Sequence, residues 1–290
     1  MATSLTPDQV AAYSRDGFLL PLRAFDAAQA AAYRAIIEGL ERDPACALLP
    51  HTLNQYFRVN GHLVLPFMAE IARMPAVLDA AESILGPDLL VWSCELFIKE
   101  PGTPKVVTWH QDLTYWGLGE TDEELTAWIA LSPSTRASGC MRFVPGSHHQ
   151  RILPHRDTFD ADNLLSRGQE IAVAVDEAAA VDDVLMPGQM SLHHGRMFHA
   201  SGPNVSDDRR IGAVVRYVTP SVRQIKAARD YAMPVRGSDA SGNWVHVHPP
   251  AVPFEASAMA LYEQVLKDQS VALAEGAQGA VGLYATPAPA

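Results

Sequence analysis

The residues best equipped for chemistry in this chain are histidines set two positions before a carboxylate. His110-Gln111-Asp112 and His155-Arg156-Asp157 both have this spacing. The motif is weak alone: with 11 histidines in the chain, about one such pair is expected by chance at ordinary Asp usage. Context separates the two. His110 follows 105–109, an apolar, β-branched segment that suits a strand. On an extended chain residues i and i+2 point to the same side, so His110 and Asp112 can take adjacent corners of one metal. His155 follows Pro154 in a polar stretch without strand character. It is expected to be a surface-loop histidine.

Two histidines and one carboxylate on one octahedral face leave three positions open. Those positions admit a bidentate 2-oxo acid and then dioxygen, which is the requirement of a mononuclear iron(II) oxygenase. The third ligand must come from elsewhere, and segment 191–204 offers His193, His194 and His199. His199 precedes the turn Ser201-Gly202-Pro203-Asn204, which places it near a barrel mouth and favours it over His193, the remaining alternative. 2-Oxoglutarate also carries a distal carboxylate, and the planar fork of arginine matches it bidentately. Arg210 opens the predicted strand 211–218. Arg210, Gly212, Val214 and Arg216 share one face of it. If that face looks inward, Arg210 can hold the co-substrate. The competing reading of Arg209-Arg210 is a charged loop end, since exposed arginine is common.

The elements that must position these residues follow from composition and punctuation. The chain has 290 residues, 48% of them hydrophobic, enough for one large globular unit. Thr6-Pro7-Asp8-Gln9 reads as a capped helix start ending near Gly17; Asp26 with Gln29 reads as a second; Pro75 to Gly86 brackets a third. From 89 onward the pattern changes. Segments 89–99, 125–131, 140–144, 181–186, 189–193 and 211–218 read as short strands broken by Pro-Gly turns, which suggests a β-barrel or sandwich. Segment 148–180 is polar and weakly periodic and reads as a loop or lid. Segment 256–273 reads as a helix. His246 and His248 lie in a Pro-flanked stretch and are expected to be exposed.

Several classes are disfavoured. The net charge is −11, without a basic stripe, so nucleic acid and anionic membrane surfaces are not expected partners. No apolar run reaches the roughly 18 residues of a membrane span. The start, Met1 to Pro7, has no secretory-signal pattern. Three scattered cysteines argue against a disulfide framework or a structural zinc site. A cytoplasmic location is the expectation.

The motifs as a set resemble the phytanoyl-CoA dioxygenase-like family of iron/2-oxoglutarate oxygenases. The resemblance is carried by Trp109-His110-Gln111-Asp112, by Gly139-Cys140-Met141 leading to Pro145-Gly146-Ser147-His148, by His199-x-Ser201-Gly202-Pro203-Asn204, and by Arg209-Arg210-Ile211-Gly212. The opening, Leu5-Thr6 to Asp16-Gly17-Phe18, is similar too. The resemblance implies a double-stranded β-helix (a cupin-like jelly roll), mainly β with flanking helices. It implies one domain over 1–290: a helical N-terminal portion about 1–88, a jelly-roll core about 89–220, and an extension 221–290. It places the metal on His110, Asp112 and His199, and the co-substrate on Arg210, whose spacing from the distal histidine (210 − 199 = 11) is the family's. Ser201 shares that carboxylate, and Lys99 matches a lysine near the site.

The activity so implied is Fe(II)- and 2-oxoglutarate-dependent hydroxylation of a small metabolite with O2. Related halogenases replace the metal carboxylate with Gly or Ala; Asp112 is present, which favours hydroxylation. Tyr115 and Trp116 follow the metal motif and are candidate pocket walls, with packing as the competing reading. Arg216, inward beside Arg210, would meet an anionic substrate. Two rivals make different demands. A cupin-type metalloenzyme without 2-oxoglutarate would not need Arg210, and a non-catalytic ligand-binding jelly roll would not need Asp112.

Overall fold

The computed structural model describes residues 4–158, 162–165, 169–172 and 174–274. Its helices begin where the caps require. In α1 (Pro7–Asp16) the Thr6 hydroxyl accepts from the Gln9 amide while the Gln9 side chain accepts from the Thr6 amide. The helix closes on Gly17, at φ 84°. Strand β1 (Phe18–Arg23) follows, then α2 (Ala27–Arg42), whose start is capped by Asp26. The short helices α3 (Leu53–Arg58) and α4 (Pro66–Ile71) were not legible in the sequence; α5 (Pro75–Leu85) was.

The β core comprises β2 (Leu89–Lys99), β3 (Val107–His110), β4 (Glu124–Ala130), β5 (Met141–Phe143), β6 (His155–Asp157), β7 (Gln169–Ile171), β8 (Val181–Asp183), β9 (Gln189–His194), β10 (His199–Ser201), β11 (Arg210–Val218), β12 (Tyr231–Arg236) and β13 (Val245–His246). One-turn α6 (Leu113–Trp116) follows β3, and α7 (Ala256–Ala274) ends the described chain. A seven-stranded sheet runs β1-β9-β4-β11-β2-β12-β13, and a four-stranded sheet runs β3-β10-β5-β8. Together they form the expected jelly roll. Strand β1, from the N-terminal portion, and β12 and β13, from the extension, both join the large sheet.

Alternation decides what each face does. On β11, Ala213, Val215 and Tyr217 join the main apolar core, with Tyr33 and Ile37 of α2, Val77 of α5 and Tyr262 of α7. Arg210, Val214 and Arg216 point the other way and line a cavity between the sheets. That inner space is closed by Trp128 and Val214 from the large sheet packing on Met141 and Phe143 from the small one. Gly212 is required here, because any Cβ on it would collide with the Trp128 ring.

Segment 148–180 needs correction. It is not all loop: β6 pairs antiparallel with β7, His155 opposite Ile171. His155 therefore sits on a strand, not in an irregular surface loop. Each of these strands is three residues long, too short for alternation to register, and the pairing is non-local. His246 and His248 are exposed, as expected.

Candidate metal centre

Strands β3 and β10 are antiparallel neighbours, with His110 directly opposite His199. Their rings lie 4.0 Å apart between centroids. The chain then turns into α6 and brings Asp112 back to both. Asp112 Oδ1 is 3.2 Å from His110 Nε2, and Asp112 Oδ2 is 4.0 Å from His199 Nε2. One donor atom from each residue lies within 4.8 Å of the others, and all three residues are buried. Among the described residues this is the group of such side chains close enough to hold one ion.

The tautomers are set by the backbone. His110 Nδ1 lies 2.9 Å from Thr108 O, and His199 Nδ1 lies 3.0 Å from Met197 O. A carbonyl only accepts, so each Nδ1 carries the proton and each Nε2 presents a lone pair toward Asp112. Burial first, then neighbouring His110, pushes the His199 pKa down to about 4. Burial alone would raise Asp112, but His199, His110 and Arg216 together hold its carboxyl below the usual range. A neutral imidazole beside a charged carboxylate is the protonation pattern a divalent metal needs.

At the other end of the same cavity lies Arg210, 1% exposed. One guanidinium nitrogen donates to the Gly139 carbonyl, while its Nε has no partner. Burial lowers its pKa to about 10, which leaves it charged. No described carboxylate forms an ion pair with it. Ser201 also lines the cavity, and its hydroxyl accepts from Lys99 Nζ at 2.7 Å. Lys99 donates further to the Ser201 and Gly202 carbonyls, behind the cavity wall. Burial and neighbouring Arg210 push its pKa down to about 6. A carboxylate arriving here would find the Arg210 fork and the Ser201 hydroxyl proton, so the residues present fit a metal-chelating dicarboxylate.

Arg216 is engaged differently. It meets Glu95 Oε1 at 2.6 Å, approaches Asp112 Oδ2 at 4.0 Å, and lies 4.4 Å over the Trp116 ring. Tyr115 and Trp116 do not line the cavity. Trp116 packs on Trp92, and Tyr115 meets His155 edge-on at 5.6 Å. His193, the alternative third ligand, stands outside the ligand group, with its ring 5.0 Å from that of His199. It lines the cavity, and neither ring nitrogen has a partner.

Sequence reasoning missed Trp128, whose ring lies 5.3 Å from the Arg210 guanidinium. The alternation of β4 placed it opposite the helix-facing Leu125 and Ile129, so a signal was there. It also missed Glu95 and Gln111. Gln111 Nε2 donates to Arg151 O and Arg196 O, and its Oε1 accepts from the Leu153 amide. No local pattern announces these contacts.

A jelly roll with two histidines and one carboxylate at one end of its cavity, and a buried arginine at the other, defines the iron- and 2-oxoglutarate-dependent oxygenases. The comparisons agree. The family model for phytanoyl-CoA dioxygenase (PhyH) matches residues 13–212. The chain belongs to that family. It is similar to the ectoine dioxygenase of Bordetella parapertussis, 31% identical over 162 residues, and spans about half (52%) of that relative's length. It is 27% identical over 225 residues to the L-proline trans-4-hydroxylase of Streptomyces griseoviridis, covering 71% of this chain and 83% of the relative. Among solved structures it resembles the apo form of the non-heme monooxygenase ThoJ, with TM-score 0.83 and 37% identity over 92% of this chain and 98% of that one. Among the described residues no helix is long and apolar enough to cross a membrane.

Proposed function

We propose that this protein is a single-domain hydroxylase of a small metabolite, with iron(II) held by His110, Asp112 and His199 and the distal carboxylate of 2-oxoglutarate held by Arg210 and Ser201. The observation that carries this reading is the buried Arg210 guanidinium, which forms no ion pair with a described carboxylate yet shares a cavity with the His-Asp-His group. An unpaired buried charge is costly, and a bound dicarboxylate relieves that cost.

When bound, iron(II) with 2-oxoglutarate and O2 supplies an oxidant able to break an unactivated C–H bond; the balance is substrate C–H plus O2 plus 2-oxoglutarate giving C–OH, succinate and CO2. The protein's own work is positioning. Nδ1–H bonds to Thr108 and Met197 aim the two Nε2 atoms. Arg210 and Ser201 orient the co-substrate, with Lys99 fixing the Ser201 hydroxyl. Phe97, Val107, Trp128, Leu165 and Val214 give the cavity apolar walls that exclude water. Arg216, already paired with Glu95, holds the Asp112 carboxylate rather than a substrate anion.

The relatives named for ectoine and for L-proline define the first substrates to try. The test is to incubate protein, Fe(II), 2-oxoglutarate and 18O2 with ectoine, L-proline and a panel of comparable small metabolites. The reading expects one product gaining a single 18O atom, with succinate in equal amount. Succinate-free turnover, or turnover undiminished by omitting 2-oxoglutarate, would contradict it.

A further inference from the structure

The second His-x-Asp motif joins no metal-holding group among the described residues, yet it is not idle. His155 is half-buried on β6, and its Nε2 accepts a hydrogen bond of 3.1 Å from the Gln111 amide. Gln111 is the residue between His110 and Asp112. His155 Nδ1 lies 2.8 Å from Leu153 O and 3.3 Å from Thr114 Oγ1. The Leu153 carbonyl can only accept, so Nδ1 carries the proton and Nε2 is left as a true acceptor. Burial pushes the ring's pKa down to about 4, which keeps that lone pair available at neutral pH.

The same turn is gripped from its side chain. Gln111 is fully buried, accepts from the Leu153 amide at 2.8 Å, and donates to the Arg151 and Arg196 carbonyls at 3.3 and 3.1 Å. One residue of the metal turn is thus held on its backbone by His155 and on its side chain by segment 151–153 and Arg196. Arg196 belongs to the turn between β9 and β10, three positions before His199. The link therefore reaches both strands that carry histidines of the metal group.

We infer that His155 is a positioning residue, which fixes the peptide between His110 and Asp112 so that their side chains converge on one point. The inference rests on the reading of His110, Asp112 and His199 as the metal ligands. Groups that orient metal ligands through hydrogen bonds typically affect metal affinity by 10–100-fold.

Three variants separate positioning from mere packing. In His155→Gln the side-chain oxygen reaches about where Nε2 stood and keeps the acceptor for the Gln111 amide. In His155→Asn the amide nitrogen takes the place of Nδ1 and keeps only the bond to Leu153 O. His155→Ala keeps neither. Fe(II) dissociation constants are measured anaerobically by chelator competition, with thermal melting of each apo protein recorded alongside. The inference expects near-native affinity in Gln and roughly tenfold or greater weakening in Asn and Ala. It is overturned if all three bind Fe(II) like the wild type, or if Asn restores affinity and Gln does not. It is equally overturned if affinity merely follows the melting temperatures. Should Ala fail to fold, the Gln against Asn comparison decides alone. His110→Ala is the control for the underlying reading. If that variant keeps native Fe(II) affinity, the metal assignment itself fails; if it loses Fe(II) while Asn and Ala at 155 keep it, only the present inference fails.

Discussion

Arg210 and Arg216 stand six positions apart on one face of β11, both buried, both lining the same cavity. Their surroundings differ. Arg216 has Glu95 at 2.6 Å, Asp112 at 4.0 Å and the Trp116 ring beneath it. Arg210 has a backbone carbonyl, an unpartnered Nε and no ion pair with a described carboxylate, Asp183 acting on it only at longer range. Arg216 is satisfied within the protein, whereas Arg210 has a partner to gain, which the proposed function assigns to the co-substrate carboxylate. Burial alone does not separate these roles; the identity of the partners does.

The sharpest way to break this contrast is to shorten the charge list at each site. Arg216→Met strands the Glu95 carboxylate in the interior, and the expected loss is about 3–5 kcal/mol of folding stability. Arg210→Met breaks no described ion pair, so its expected cost in the ligand-free protein is within about 1 kcal/mol. Urea unfolding of the two variants checks the pair; equal losses would erase the distinction. The double change Glu95→Leu with Arg216→Met removes both charges, and should recover most of what Arg216→Met loses, because a buried ion pair often exchanges for apolar residues at little cost.

Gly212 lies between the two arginines and makes room for Trp128. Gly212→Ala forces the indole off its seat, for an expected loss of about 1–3 kcal/mol by overpacking and a change in tryptophan fluorescence. Unchanged emission and stability would mean that Trp128 is not held there.

A pH-dependent effect concerns Asp183, buried near Arg210 and bonded to Ser191 Oγ at 3.0 Å. Burial raises its pKa to about 7. An acid raised in the folded state binds more protons there than when unfolded. Its contribution is therefore present at low pH and lost as pH rises from about 4, the unfolded value, to about 7. Asp183→Asn removes this dependence. The stability difference, variant minus wild type, should grow across that window and level off above it. A difference that stays flat would place an ionised Asp183 in the fold.

How much of this could be read in the sequence follows one physical division. Local signals were legible: the caps at Thr6 and Asp26, the turn after His199, and the alternation that put Arg210, Val214 and Arg216 on one face. Short-range geometry also made His110 and Asp112 a pair. What stayed hidden depends on register between distant strands. Arg216 meets Glu95 because β11 and β2 align Val214 with Glu95 and Arg216 with Ser93, and nothing local to Arg216 encodes that. Lys99 reaches Ser201 from the other sheet, a side-chain contact that no local pattern encodes either. The strand at His155 leaves no local signal, because β6 acquires its strand character only from β7.

On the proposed function, one cavity joins a metal site at His110, Asp112 and His199 to a co-substrate seat at Arg210. An anaerobic titration of the protein with Fe(II) and then 2-oxoglutarate, followed by visible absorption, tests it without knowledge of the substrate. A metal-to-ligand charge-transfer band is expected in the wild type, with its loss or weakening in His199→Ala. In Arg210→Ala the band is expected to need roughly 30-fold or more additional 2-oxoglutarate, the equivalent of about 2 kcal/mol or more for a buried charge pair. No band in the wild type at saturating Fe(II) and 2-oxoglutarate, or an unshifted titration in Arg210→Ala, would contradict it.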